Sequence, residues 1–151
     1  MSLVIRKARA DDLPFLKSCA RAAYEKYVAA IGREPAPMVA DFQNALNEHS
    51  VELIEVDKQP AGFAIWYPRG DKIHLENIAL LPSQQGKGLG HALLQHVELR
   101  AKRGGYDHVE LYTHVKMERN VPFYLSHGYV ETHRGIQDGF ERIFFQKELL
   151  P

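Results

Sequence analysis

The chain has 151 residues, 45% of them hydrophobic and 25% charged, with 19 Lys+Arg balancing 19 Asp+Glu. These proportions suit one globular domain over residues 1–151, long enough to bury a core, and the balanced charge offers no overall field to attract nucleic acid or an anionic membrane. The lone cysteine, Cys19, excludes an intramolecular disulfide and a cysteine-based zinc site. No apolar run reaches the length of a membrane span and no signal-peptide core opens the chain, so a cytoplasmic protein is the default expectation.

In chain order, Leu3–Lys7 reads as a short strand. Asp11 or Asp12 can cap the helix that follows, with Pro14 tolerated in its first turn and Leu13, Leu16, Ala20, Ala23, Tyr24 and Tyr27 on one face. Cys19 falls among alanines in that helix, where burial and inertness are expected. The helix stops near Gly32, two prolines stiffen the loop from Arg33 to Pro37, and a second short helix is expected from about Met38 to Asn47. Three strands follow, Val51–Val56, Ala61–Tyr67 and Ile73–Leu81, joined by turns so short that neighbours must be antiparallel.

A loop with alternating glycines comes next, Gln85-Gly86-Lys87-Gly88-Leu89-Gly90, and then a helix whose stripe is Leu89, Leu93, Val97 and Ala101 with Leu94 beside it, ending at Gly104-Gly105. Val109–His114 alternates as a strand, and its helical crossover from the strand before implies that the two are parallel. Asn120 can cap a short helix over Val121–His127, which Gly128 stops, and Tyr129–Arg134 with Phe140–Glu148 form a closing hairpin around Gly135 to Gly139.

Glycines at a helix N-terminus let a ligand approach unpaired amides at the positive end of the peptide dipoles, and Lys87 adds a charge. The segment therefore reads as a seat for a pyrophosphate, although an ordinary tight strand-to-helix turn would use the same glycines. It is not a P-loop, which requires Gly-Lys-Ser/Thr, and His91 stands where the dinucleotide fingerprint requires its third glycine. The antiparallel hairpins ahead of the loop also weigh against a doubly wound nucleotide-binding protein.

Gln85, Gly88 and Gly90 do match the Gln/Arg-x-x-Gly-x-Gly/Ala motif of the GCN5-related N-acetyltransferases (GNAT). Asn120-Val121-Pro122-Phe123-Tyr124-Leu125-Ser126-His127-Gly128-Tyr129 resembles that family's Asn-x-x-Phe-Tyr-x-x-x-Gly-Phe/Tyr segment. The order β-α-α-β-β-β-α-β-α-β-β is also the family's, so the resemblance covers essentially the whole chain. It implies an α/β (α+β) fold with a mixed, mostly antiparallel sheet, about four helices, and parallel but splayed fourth and fifth strands.

The resemblance further implies acetyl-coenzyme A as co-substrate, without a metal. The Gln85 to Gly90 amides would hold its pyrophosphate, including those of Gly86, Lys87, Gly88 and Leu89. A bulged strand edge at Ile78, Ala79 and Leu80 would hold the pantetheine, with an amide near Ile78 polarising the thioester carbonyl. Asn120 and Phe123 complete the cofactor contacts. Met117 departs from the pattern, standing where many relatives have an asparagine.

Transfer to a primary amine of a small molecule or a peptide would proceed by direct attack in a ternary complex, with Tyr124 protonating the departing thiolate; a phenol is protonated at neutral pH. For the base, Glu76, His74 and water stay open, with His114 as a further candidate. Acceptor recognition would fall to Tyr24, Tyr27, Arg33 and Glu34 beside the proline loop, to Trp66 and Tyr67, and to the loop Gly135 to Gly139. Packing is the competing role for those aromatics, and the mixed charges do not select a plain amine from a carboxylate-bearing one. The family includes many dimers, so a homodimer is admitted. An acyl-coenzyme A sensor of the same fold is the alternative function.

Overall fold

The computed structural model describes residues 2–149; Met1, Leu150 and Pro151, the ends of the expected 1–151 domain, lie outside the described residues. Alternating apolar positions make the strands and four-residue apolar spacing makes the main helices. Among the described residues the strands are β1 (Leu3–Lys7), β2 (Ser50–Val56), β3 (Gln59–Arg69), β4 (Lys72–Leu80), β5 (His108–His114), β6 (Val130–Gln137) and β7 (Phe140–Glu148). They form one sheet in the order β1-β2-β3-β4-β5-β7-β6, antiparallel except at β4–β5. The helices are α1 (Leu13–Tyr24), α2 (Val28–Ile31), α3 (Phe42–Glu48), α4 (Leu89–Arg103) and α5 (Asn120–Ser126). None is long and apolar enough to cross a membrane.

Two cores sandwich the sheet. One face packs Ile54, Ala64, Trp66, Ile73 and Leu75 against α4, whose stripe Leu89, Leu93, Leu94, Val97 and Ala101 is sealed from solvent. Burying each of those leucines contributes about 2 kcal/mol relative to exposure. The other face packs Leu53, Phe63, Ile65 and Ala79 against α1 and α3, with Cys19 fully buried. Charges drawn into the sandwich are paired: Arg6 meets Asp12 at 2.9 Å and Glu55 at 3.0 Å, and Arg100 meets the buried Glu52 at 2.8 Å.

Three local expectations change. Asp12 does not cap α1: its Oδ2 accepts the Arg9 amide at 2.7 Å and closes a preceding 3-10 turn, Ala10–Asp12, because Arg6 holds the carboxylate there. The helix expected from Met38 begins at Phe42, since Asp41 accepts the Asn44 amide and the prolines hold Ala36–Met38 as a separate 3-10 turn. The final loop shrinks to Asp138-Gly139, both at positive φ, and β6 takes up Gly135 to Gln137.

The feature that organises the site is a separation of strands. β4 and β5 pair only at Ile73–Val109 and His74–Glu110. On its other side β4 stays paired with β3 to Leu80, but Glu76 is an extra residue between the Trp66–Leu75 and Ile65–Asn77 pairs. Such a bulge bends and twists its strand, and from Leu75 onward β4 turns an unpaired edge toward the gap. Gly62 on β3 pairs with Leu80 and leaves room for the close approach of that edge. A methyl there would strike the Ala79 carbonyl oxygen and the Leu80 side chain. Gly62→Ala should therefore cost about 1–3 kcal/mol by overpacking, read as a lower urea midpoint at an unchanged slope.

Candidate active site

Two cavities open from the gap between β4 and β5. A groove of about 520 Å3 runs between the ends of α1 and α5 and the start of α4, lined by Ala23, Tyr27, Ala79, Leu80, Gln85, Gly86, Gly88, Gly90, His91, Arg119, Phe123 and His127. A second cavity, of about 270 Å3, is lined by Pro35 to Pro37, Asp41, Glu76, Asn77, Tyr112, Thr113, His114, Met117, Phe140 and Arg142. Tyr24, Ile78, Asn120 and Tyr124 line both, so the cavities meet there.

The groove is built around the start of α4. Gly86 and Gly88 sit at φ +78 and +82, with open space where a side chain would begin; an L-residue with a branched side chain is strained there. No acceptor among the described residues takes the N–H groups from Gly86 to His91. These amides, at the positive end of a 15-residue helix, form an anion cradle. Gln85 braces the loop by donating to the Leu80 carbonyl at 3.3 Å. Lys87 is exposed and outside the groove lining, and the Leu89 side chain is buried in the core, so that residue offers only its amide.

At the junction, Tyr24 spends its hydroxyl on the sheet, 2.8 Å from Asn77 Oδ1 and 2.9 Å from the Ile78 carbonyl. Asn77 in turn donates to the Pro37 carbonyl at 3.0 Å, which pins the proline loop over the small cavity. Asn120 is the first residue of α5 and does not cap it; its amide reaches Thr113 Oγ1 at 2.9 Å and Met117 Sδ at 3.6 Å. Tyr124 packs among Phe123, Tyr129 and Phe145, and burial pushes its phenol well above the ordinary range. Its hydroxyl has no hydrogen-bond partner among the described residues. A buried tyrosine hydroxyl usually finds one; here it faces the point where the cavities join.

The candidate bases separate. Glu76 lines the small cavity, and burial raises its carboxyl above the ordinary range, with His49 pulling the other way. His74 lines neither cavity: it is 1% exposed, its Nδ1 lies 2.9 Å from Glu110, and Glu110 is also held by Arg69 at 2.7 Å. The reason is positional, since β4 and β5 are still paired at His74 and the gap opens only beyond it. Burial lowers the His74 pKa, and Glu110 only partly offsets it. His114 lines the small cavity with its Nδ1 accepting the Lys116 amide at 3.0 Å.

The expected acceptor residues divide as well. Tyr27 faces the groove rather than the small cavity. Trp66 is buried against the α4 core and stacks edge-on to His96, while Tyr67 lies on His49; neither lines a cavity. Arg33 lies over Phe140 at 3.5 Å and donates to the Asp138 carbonyl, closing the rim from outside. Asn77, Tyr112 and Arg142 were not anticipated. Arg142 carried one legible signal, a cation alternating with Phe140 and Phe144 on an otherwise aromatic strand face.

Among the described residues no cluster of three or more His, Cys, Asp or Glu side chains is arranged to hold a metal. The fold is closely similar to solved acetyltransferases. The ribosomal-protein-S18-alanine N-acetyltransferase of Escherichia coli superposes with a TM-score of 0.80 at 22% identity, covering 98% of this chain and 94% of that one. The PaiA N-acetyltransferase of Thermoplasma acidophilum, in complex with coenzyme A, gives 0.80 at 21% identity over 98% and 99%. A GNAT family acetyltransferase of Elizabethkingia anophelis with acetyl-CoA bound gives 0.73 at 19% over 97% and 98%. Residues 16–129, from the body of α1 to the residue after α5's glycine stop, match the acetyltransferase (GNAT) family model, and with both sequence motifs seated at the two cavities, the chain belongs to the acetyltransferase (GNAT) family.

Proposed function

We propose that the protein is an N-acetyltransferase that passes an acetyl group from acetyl-coenzyme A to a primary amine by direct attack in a ternary complex. The observation that carries this reading is the unpartnered Tyr124 hydroxyl at the junction of the two cavities. The residues fit the donor: the amides of Gly86 to Gly90 suit its pyrophosphate, and the unpaired β4 edge at Ile78 to Leu80 suits the amide-bearing pantetheine arm. Asn120 and Phe123 flank that path. Bound there, the thioester supplies an activated acyl group.

The chain's own groups then divide the proton work. Glu76 takes a proton from the acceptor nitrogen in the small cavity, and its raised pKa makes it a better base than an exposed carboxylate. Tyr124, kept protonated by burial, holds a proton where a leaving thiolate requires one. A covalent acetyl-cysteine route lacks its nucleophile. The one cysteine, Cys19, is fully buried in α1 and its thiol is pushed up to about 12.

Three measurements test this reading. Tyr124→Phe should lower kcat by about 100-fold in a thiol-release assay while acetyl-coenzyme A affinity by calorimetry stays within about twofold; undiminished turnover removes Tyr124 as the acid. Gly88→Val, which puts a branched side chain at positive φ in the cradle, should weaken acetyl-coenzyme A binding by about tenfold or more, and unchanged affinity would move the pyrophosphate elsewhere. In native protein kcat should rise with pH through an apparent pKa above the ordinary carboxylate range as Glu76 deprotonates, and show no falling limb from Tyr124 at mildly alkaline pH. Glu76→Gln should abolish that rise; a profile that keeps it assigns the proton to water or His114. Tight binding without acceptor-dependent thiol release would leave an acyl-coenzyme A-binding module.

A further inference from the structure

The small cavity contains a cation whose charge the fold does not settle. Arg142 on β7 is only 6% exposed, and a buried guanidinium is costly unless it is paired. Other cations drawn inward end on carboxylates: Arg6 on Asp12 and Glu55, and Lys147 on Glu98 at 2.8 Å. Arg142 instead gives Nη1 to the neutral amide oxygen of Gln137 at 2.8 Å. Its nearest carboxylate is Asp138 at 4.0 Å, which is 86% exposed and therefore screened by water. Arg142 Nε and Nη2 have no partner among the described residues.

The rest of its surroundings holds the guanidinium in place without neutralising it. Its Cζ lies 4.1 Å from the Tyr112 ring centre and 5.6 Å from that of Phe140. Aromatic faces stabilise a guanidinium while leaving its in-plane N–H groups free for a forked acceptor. Arg33 lies on the same Phe140 ring, so the rim carries a second cation. Within the same cavity of about 270 Å3, Glu76 presents a carboxylate. A volume just below the usual range for ligand pockets, which suits a small molecule, therefore contains a group that attracts an ammonium and a group that lacks an anion.

We propose that the acceptor is a small amino acid, whose amine meets Glu76 in the small cavity and whose carboxylate is gripped by Arg142 in the same cavity. The assignment rests on the transferase reading for its chemistry, and on the cavity alone for its selectivity. Arg142 is a specificity-determining residue that touches the acceptor's carboxylate and takes no part in proton transfer. A carboxylate accepting two charge-assisted bonds from a guanidinium gains far more than a neutral amide could.

The test uses the native protein with free L-amino acids, each matched to its amide and to the amine formed by removing the carboxyl group. Amides have the less basic and hence more available amine at neutral pH, so intrinsic reactivity runs against the proposal. Free acids should nevertheless exceed their amides by about 30-fold in kcat/KM, the yield of one charge-assisted forked contact. Arg142→Gln should bring the ratio below about threefold and Arg142→Lys should keep part of it, with acetyl-coenzyme A affinity showing that each variant is folded. Amides or plain amines that match the acids in native protein overturn the proposal, as does a ratio that survives Arg142→Gln. If no acceptor releases thiol, the transferase reading falls, and calorimetry of the same pairs on the coenzyme A-loaded protein decides the acceptor question: acids preferred supports it, and equal or absent binding overturns it.

Discussion

The separation of β4 from β5 is the constraint on which the rest of the site depends. Two parallel strands with a helix crossover would ordinarily pair along their length, and here they do so for two residues only. The extra residue at Glu76 bends β4 while β3 holds its other edge in register, so the strand leaves β5 without leaving the sheet. The residues that line the two cavities are walls of the resulting gap. The start of α4 lies at one end, Tyr124 and Asn120 of α5 fill the middle, and β7 with the proline loop bounds the other end.

A backbone gap exposes polar groups inside the protein, and an unpaired N–H or C=O there is costly unless something answers it. The Ile78 carbonyl is answered by the Tyr24 hydroxyl, and Asn77, turned inward beside the bulge, is answered by Tyr24 and the Pro37 carbonyl. The same residues that heal the gap also connect α1 and the proline loop to β4. Stability and the shape of the small cavity are therefore not separable at Tyr24 and Asn77. Tyr124 and Arg142 are different: both are buried, and both retain hydrogen-bonding capacity that no described residue uses.

The chemistry follows from how burial treats each ionisable group. Desolvation favours the neutral form, so it keeps the Tyr124 phenol protonated, pushes Glu76 toward useful basicity and leaves His74 neutral. Two of these groups reach a cavity and one does not. His74 and Glu76 share a strand, and a sequence argument treats them as near equivalents. Their separation arises because pairing with β5 ends between them.

The elements and both family motifs were determined by the sequence itself, because helix stripes, strand alternation and the glycine loop are local patterns with short-range causes. The run Gln85 to Gly90 specified a helix start with free amides, and the spacing from Asn120 to Gly128 specified a short helix presenting Tyr124. Tertiary structure alone decided which side chains reach solvent at the gap. It buried Trp66 under α4, set Tyr67 on His49, seated Tyr27 in the larger groove and turned Arg142 inward over Tyr112. Those outcomes depend on a bulge and on strand neighbours distant in sequence, such as β5 with β7, whose register no local pattern carries. Periodicity assigns a residue to a face of its own element; only packing determines what lies opposite that face.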